Sequence, residues 1–212
     1  MIQKYDIGLL DCPWQYDNQQ QNDPNRGGIT YPQLSMKELA EIPIENMFND
    51  NALLFVWVTF PKLCDQYYEK YDPLSIIRAW GFRPLTAAFV WIKTNKHGRL
   101  ITDDTDVALY DDWYSGLGRY TNSNAEFCIV ARRGKSLERS AKNVKQLIFA
   151  PIAKHSEKPE TQYFRIDNLY SPERYKRIEL FARSQNPPPK HWDATGLDYD
   201  GRDIREVIKQ YD

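Results

Sequence analysis

Short apolar, β-rich runs recur along this chain, each separated from the next by a helix signal or a polar loop, and this pattern restricts the fold more than any other feature. Residues 5–10, 52–60, 86–92, 126–131, 146–150 and 177–181 read as strands. Between them, Ser35 and Glu38 form a capping box that opens a short helix toward Met47. A helical stretch over 62–80 is interrupted near Pro73 and closed by Gly81. Pro159 opens a helix to about Tyr170, and an amphipathic helix covers 203–209. Strands alternating with helices predict an α/β fold with a mostly parallel sheet and helices on both faces. In such sheets ligands bind beyond the carboxyl ends of the strands. The residues to examine are therefore 11–14, 59–61, 93–95 and 183–186.

With 212 residues, 42% of them hydrophobic, the chain suits one α/β domain over 1–212. The long polar segment at about 94–124 reads as a variable binding loop or lid. No apolar run approaches the ~18 residues of a membrane-spanning helix. The start lacks a signal-peptide pattern, so the expected setting is intracellular. Cys12, Cys64 and Cys128 are widely spaced, which suggests neither a disulfide framework nor a zinc site. The net charge of −1 means that any contact with nucleic acid has to come from a local patch. Arg132, Arg133, Lys135, Arg139, Lys142 and Lys145 run against Glu138 alone, and read either as such a patch or as a solvated loop. Asp103, Asp104, Asp106, Asp111 and Asp112 form an acidic stretch unsuited to phosphate. It is expected to touch a partner subunit or to be a solvated loop.

Asp11-Cys12-Pro13-Trp14 follows the first strand. Methylating a planar amino group such as that of adenine is difficult because the nitrogen lone pair is delocalised into the ring. A site can hold the two N–H groups with fixed acceptors and let the nitrogen pyramidalise. The Asp11 carboxylate and the Cys12 carbonyl are two such acceptors, and Trp14 offers a face for a flipped base. An electrophilic sulfonium methyl placed in line then makes positioning most of the catalysis, and no metal is required. By itself D-x-P-W also fits an ordinary turn, with Asp11 as a turn or helix-capping residue.

Further blocks follow in order: Y-P-Q-L-S (31–35), L-F-V-W-V-T (54–59), A-W-G-F (79–82), V-W-I-K-T-N (90–95), A-E-F-C-I-V (125–130), H-S-E-K-P-E (155–160) and I-E-L-F-A-R (178–183). Together with D-C-P-W they resemble the MT-A family of S-adenosylmethionine-dependent adenine N6-methyltransferases, from about Asp11 to Gly201. The resemblance implies a Rossmann-like methyltransferase fold in permuted order, with the catalytic motif before the main cofactor segment. It implies that Asp11, Cys12, Pro13 and Trp14 form the catalytic motif. Asp11, Lys158, Arg183, Asn186 and Asp198 would face S-adenosylmethionine. Tyr31, Glu126 and Lys158 would face the acceptor; Arg132 and Arg133 are candidates for nucleic acid from the basic run alone. Trp57 reads as a core aromatic and His155 as structural. Two positions depart from the family pattern. Cys12 stands where proline is usual, which leaves the backbone carbonyl in place. Gly196-Leu197-Asp198 stands where Gly-Asn and then Gln or Glu is common. Leu197 can neither donate nor accept, while Asp198 can bind ribose hydroxyls.

The expected partner is nucleic acid, DNA before RNA, and the expected state is a homodimer or a heterodimer with a related subunit. The alternatives are an RNA adenosine methyltransferase, a non-catalytic nucleic-acid-binding subunit, and a small-molecule or protein methyltransferase on the same fold.

Overall fold

A computed structural model describes residues 2–15, 32–64, 71–94, 120–121, 123–153 and 157–211. Among them seven strands form one sheet: β1 (Tyr5–Leu10), β2 (Phe48–Val58), β3 (Arg83–Thr94), β4 (Ala125–Arg133), β5 (Leu147–Pro151), β6 (Arg177–Leu180) and β7 (Asp193–Thr195). Their order is β5-β3-β4-β2-β1-β6-β7. All neighbouring pairs are parallel except those of β4, which runs antiparallel to both β2 and β3. The result is a mostly parallel, mixed sheet of Rossmann-like α/β type. The strands read from sequence are all present. The three residues of β7, just past a Pro187–Pro189 run, were too short to give a strand signal.

Alternation along the central strands explains why both faces are covered. In β2, Leu54 and Val56 enter one core with Leu10, Leu39, Ile76 and Trp80. Leu53, Phe55 and Trp57 enter the other core with Leu9, Tyr163 and Ile166. A strand buried on both sides reads as a continuous apolar run, as 52–58 does. The first face carries α1 (Met36–Glu41), α3 (Pro73–Ala79) and α5 (Ile204–Val207), and the second carries α4 (Thr161–Leu169). Trp80 is fully buried, and its indole N–H donates to the Leu39 carbonyl at 2.8 Å, which fastens α3 to α1.

Local chemistry sets the helix ends. Ser35 and Glu38 make the expected reciprocal capping box. The helix ends at Glu41, short of Met47, because Pro43 pushes Ile42 into extended backbone (φ −75, ψ 120). A 3-10 turn, Ile44–Met47, follows. The stretch expected as one interrupted helix contains α2 (Phe60–Leu63) and α3, with residues 65–70 outside the described set. Pro73 does not interrupt α3 but opens it, capped by Asp72, whose carboxylate accepts from Ser75 N–H at 2.9 Å. Gly81 ends it with φ 76, as expected.

This topology decides what meets at the ligand edge. The carboxyl ends of β1, β2, β3 and β6 lie on one edge of the sheet. The reversed β4 brings its first residues there as well, so Glu126 stands opposite Trp91 and one residue from the end of β2.

Candidate active site

Asp11 is the first residue beyond β1. The three residues after it form a tight turn in which Trp14 N–H donates to the Cys12 carbonyl at 2.8 Å, an i to i+2 bond centred on Pro13. The Pro13 carbonyl accepts from Leu34 N–H at 2.8 Å, and Gln15 N–H donates to the Leu34 carbonyl at 3.1 Å. The turn is therefore pinned from outside, which fixes the carbonyl directions. A carbonyl oxygen has two lone pairs; that of Cys12 spends one on Trp14.

Trp14 itself corrects an expectation. Its ring is only 3% exposed and lies in the core with Met36 and Val58. Its indole N–H donates to the Trp57 carbonyl at 3.1 Å. No open face is left for stacking a base in this conformation. Trp14 is the buried wedge that holds the turn. The Cys12 side chain is likewise buried, and burial, with Asp11 beside it, pushes the thiol well above its usual value, so it is unreactive.

A charged cluster surrounds Asp11. Lys158 Nζ lies 2.9 Å from Asp11 Oδ2 and 3.3 Å from Glu126 Oε2. Lys93 Nζ is 2.5 Å from Glu126 Oε1, and an Arg183 guanidinium nitrogen is 3.8 Å from Asp11 Oδ2. The Lys158 side chain is only 6% exposed. Burial opposes its charge, but Asp11 and then Glu126 outweigh this and raise its pKa above the usual lysine value. For Glu126, burial pushes the carboxyl up, while Lys158 and Lys93 more than reverse it and bring it down to about 2. Lys158 and Lys93 thus keep Glu126 ionised, as an acceptor only.

The cavity at this edge is lined by Leu9, Asp11, Trp57, Lys158, Glu179 and Arg183, among others. Glu179 was not foreseen. It is 7% exposed on β6, and its Oε2 accepts from the Tyr163 hydroxyl at 2.7 Å. Burial pushes its carboxyl up to about 7. The Tyr163 hydrogen bond opposes that rise, the Asp11 charge adds to it, and Lys158 and Arg183 lower it. The signal was in the sequence: an acidic residue inside the apolar run I-E-L-F, at a position that a buried strand must cover. Phe181 also lines the cavity. Its φ of 59 puts a bulky non-glycine residue in the left-handed region, a conformation that costs about 1–3 kcal/mol and gathers at functional sites. Gln162 completes the set that was missed, while Lys93, from the strand-end segment 93–95, joins the cluster through Glu126. Gln162 accepts from the Trp57 indole, and Trp57, 1% exposed, is a core aromatic as read.

The remaining expected residues divide clearly. Asn186 also lines the cavity, and its side-chain N–H donates to the Lys158 carbonyl at 3.0 Å, tying the two cofactor candidates together. Asp198 stands behind the site. Its Oδ2 accepts from Ser184 N–H and from Ser184 Oγ–H, both at 3.2 Å, bracing the loop that carries Arg183. Arg132 and Arg133 are not brought to the site. They end the antiparallel β4, opposite Arg83 and Ala52, six residues beyond Glu126 and so about 20 Å away. Neither can reach a base held at Asp11. Arg133 donates to the Glu45 carbonyl at 2.8 Å and Arg132 to Ser136 Oγ at 2.6 Å. The cause is strand direction, which reverses along β4 and was not visible in the pattern. Tyr31, His155, the acidic stretch from Asp103 to Asp112 and most of 94–124 lie outside the described residues.

Comparison with known proteins converges on one family. The MT-A70 family profile matches residues 5–198. The chain is similar to the type II methyltransferase M.MunI of Mycoplasma sp, 30% identical over 92% of this chain and 78% of that protein. It is also similar to the Drosophila melanogaster N(6)-adenosine-methyltransferase MT-A70-like protein, 24% identical over 100% of this chain and 30% of that protein. The human N(6)-adenosine-methyltransferase catalytic subunit METTL3 is 24% identical over 95% of this chain and 29% of its own length. The chain thus spans under a third of these two animal relatives.

Proposed function

The chain belongs to the MT-A70 family of methyltransferases, and on that premise we propose that it transfers a methyl group from S-adenosylmethionine to the exocyclic N6 amino group of adenine in nucleic acid, with DNA preferred. The observation that carries this reading is the Asp11 carboxylate at a strand end, held by Lys158 at 2.9 Å and facing the cavity that Glu179 and Arg183 share.

The donor set fits the cofactor. S-adenosylmethionine, when bound, supplies an electrophilic methyl on a cationic sulfur, and it carries an ammonium, a carboxylate and a ribose diol. Glu179 and Asp11 offer negative charge to the cationic groups. Arg183 and Lys158 offer positive charge to the carboxylate, and Asn186 lines the same pocket. Asp198, by bracing Ser184, keeps Arg183 in place and is open to a ribose hydroxyl.

Toward the acceptor, the Asp11 carboxylate and the second lone pair of the Cys12 carbonyl take the two N–H groups of the adenine. Pro13 and the buried Trp14 fix the directions of these acceptors, so geometry rather than strong basicity supplies the catalysis. Attack gives the amino nitrogen a positive charge, which Asp11 stabilises and whose proton it accepts. Lys158, 2.9 Å from Asp11 Oδ2, holds that carboxylate in place before that step. Glu126, ionised beside Lys158, holds the lysine in position and borders the acceptor. Tyr31 is assigned to the acceptor pocket on family resemblance alone.

DNA is preferred because the relative matched over 78% of its own length is named a type II methyltransferase, whereas those named N(6)-adenosine-methyltransferases are matched over under a third of theirs. The term "catalytic subunit" in another relative's name favours a partnered state, a homodimer or a heterodimer with a related subunit, and the acidic stretch from Asp103 to Asp112 is proposed as its contact on charge alone. One methyltransferase domain over 1–212 and an intracellular setting complete the reading.

The test is calorimetric binding of S-adenosylmethionine, followed by labelled methyl transfer to matched DNA and RNA oligonucleotides, single- and double-stranded. Transfer to DNA above RNA supports the proposal in full, and transfer to RNA alone reverses the polymer. Cofactor binding with no transfer to either, partner subunit supplied, makes the chain a non-catalytic binder.

A further inference from the structure

Residues 134–146, between β4 and β5, contain neither helix nor strand, yet they are fastened along their length. Gly134 opens the segment at φ 61, where a Cβ would lie 2.1 Å from the Asp50 carbonyl oxygen, so only glycine fits. Lys135 N–H then donates to Asn51 Oδ1 at 2.7 Å. Leu137 and Val144 pack on the core beneath α4. Ser140 N–H donates to the Leu169 carbonyl at 2.7 Å, and its hydroxyl accepts from Ser171 N–H at 3.1 Å. Gln146 Nε2 donates to the Ala87 carbonyl at 2.6 Å. Binding to this segment therefore carries little ordering entropy.

Its distinction is concentration: four exposed cations fall within residues 135–145. Exposed Lys37, Arg202, Arg205 and Lys209 each sit on a carboxylate one helical turn or less away. Lys135, Arg139, Lys142 and Lys145 are exposed and make no ion pair among the described residues. The one acid of the segment, Glu138, is taken by Arg174 at 2.6 Å. Arg165 of α4, whose guanidinium donates to the Lys145 carbonyl at 2.5 Å, extends the positive surface toward the site. In a chain of net charge −1, this is a local excess held on a fixed backbone.

We propose that this segment is a preformed docking surface for nucleic-acid phosphates, remote from the reacting base and engaged by the same polymer. The inference rests on the nucleic-acid reading above. It places Lys135, Arg139, Lys142 and Lys145 on the phosphates, and leaves Arg132 and Arg133 with their structural partners. From Lys158, at Asp11, the nine residues of α4 rise about 13 Å before meeting Ser140, so the surface lies on the order of 20 Å from the target. At 3.4 Å per step of a duplex strand, this is roughly six base steps.

The test compares the unchanged chain with the triple variant Arg139→Gln, Lys142→Gln, Lys145→Gln. Both are measured with duplexes that extend three or twelve base pairs beyond the target adenine, across a salt series. Long duplexes should bind the unchanged chain on the order of 10- to 100-fold more tightly than short ones, and the variant should lose this advantage. The slope of log affinity against log salt should flatten by about 2 to 3. Turnover on short duplexes and cofactor affinity should match the unchanged chain, showing that the variant is folded. Equal affinity for both lengths in the unchanged chain, or an unaltered slope in the variant, overturns the docking surface and leaves the methyltransferase reading standing. An unchanged chain that neither binds nor methylates any duplex or RNA overturns both.

Discussion

Replacing Glu179 with glutamine should make the protein more stable at alkaline pH while weakening its cofactor site. The folded environment raises the carboxyl from its usual 4.5 to about 7, with burial as the first cause. The folded state thus holds this proton more tightly than the unfolded chain does. The stabilisation is complete below about pH 4.5 and is lost as pH rises through 7. Raising the carboxyl from 4.5 to about 7 corresponds to about 3 kcal/mol. Above pH 7.5 an ionised, 7% exposed Glu179 carries that penalty. Glutamine stays neutral, and its carbonyl still accepts from the Tyr163 hydroxyl. The Glu179→Gln variant should therefore gain about 3 kcal/mol at pH 8, or roughly 6–12 °C in Tm for a domain of this size, and next to nothing at pH 4.5. Urea unfolding followed by tryptophan fluorescence at pH 8, 6 and 4.5 measures the gap. On the proposed role of Glu179 toward the cofactor's ammonium, calorimetry at pH 8 should show S-adenosylmethionine affinity reduced at least about tenfold, an amide then replacing a charge. A variant less stable than the parent at pH 8, or a gap that does not change with pH, would refute the assignment. A gain in stability with unchanged cofactor binding would remove Glu179 from the site.

Two further outcomes follow from the same cluster and its supporting loop. Glu126, brought down to about 2 from the usual 4.5, contributes stability that is present above about pH 4.5 and lost as pH falls toward 2. The Glu126→Gln variant should lose about 3 kcal/mol at pH 7 and only about half of that at pH 3, read by chemical denaturation at the two pH values. Gly196 is packed so closely that a Cβ would lie 2.4 Å from the Ala182 carbonyl oxygen and 2.6 Å from its nitrogen. Gly196→Ala should cost about 2 kcal/mol or more and weaken cofactor binding by displacing the Arg183 loop, whereas wild-type values in both denaturation and calorimetry would show that the loop yields freely.

Local features were legible from sequence and non-local ones were not. Ser35, Glu38 and Gly81 act within a single turn, so the sequence alone set the helix boundaries they control. Pro43 stopped α1 early for an equally local reason that the hydrophobic pattern obscured. Asp11, Arg183 and Asn186 converge as their positions after strands suggested, and Lys158 joins them as the family resemblance implied. The direction of β4 is a tertiary choice that alternation does not encode, since an apolar strand reads the same both ways. That ambiguity moved Arg132 and Arg133 to the far end of the sheet and brought Glu126 to the site. Trp14 looked like a stacking surface because residue type does not specify burial; its indole instead found the Trp57 carbonyl. Glu179 was masked by the apolar run around it, although a carboxylate in such a run is itself a sign of function.

The most direct measurement is methyl transfer from labelled S-adenosylmethionine to an adenine-containing oligonucleotide, with the product nucleoside identified by mass spectrometry, for the unchanged chain and for Asp11→Asn. Asparagine keeps the size of the side chain but loses the charge that accepts the amino proton. N6-methyladenine from the unchanged chain, with turnover reduced about 100-fold or more in the variant and cofactor still bound, is the expected result. A methyl group found elsewhere than N6, or transfer that survives Asp11→Asn undiminished, would contradict the site assigned to this chemistry.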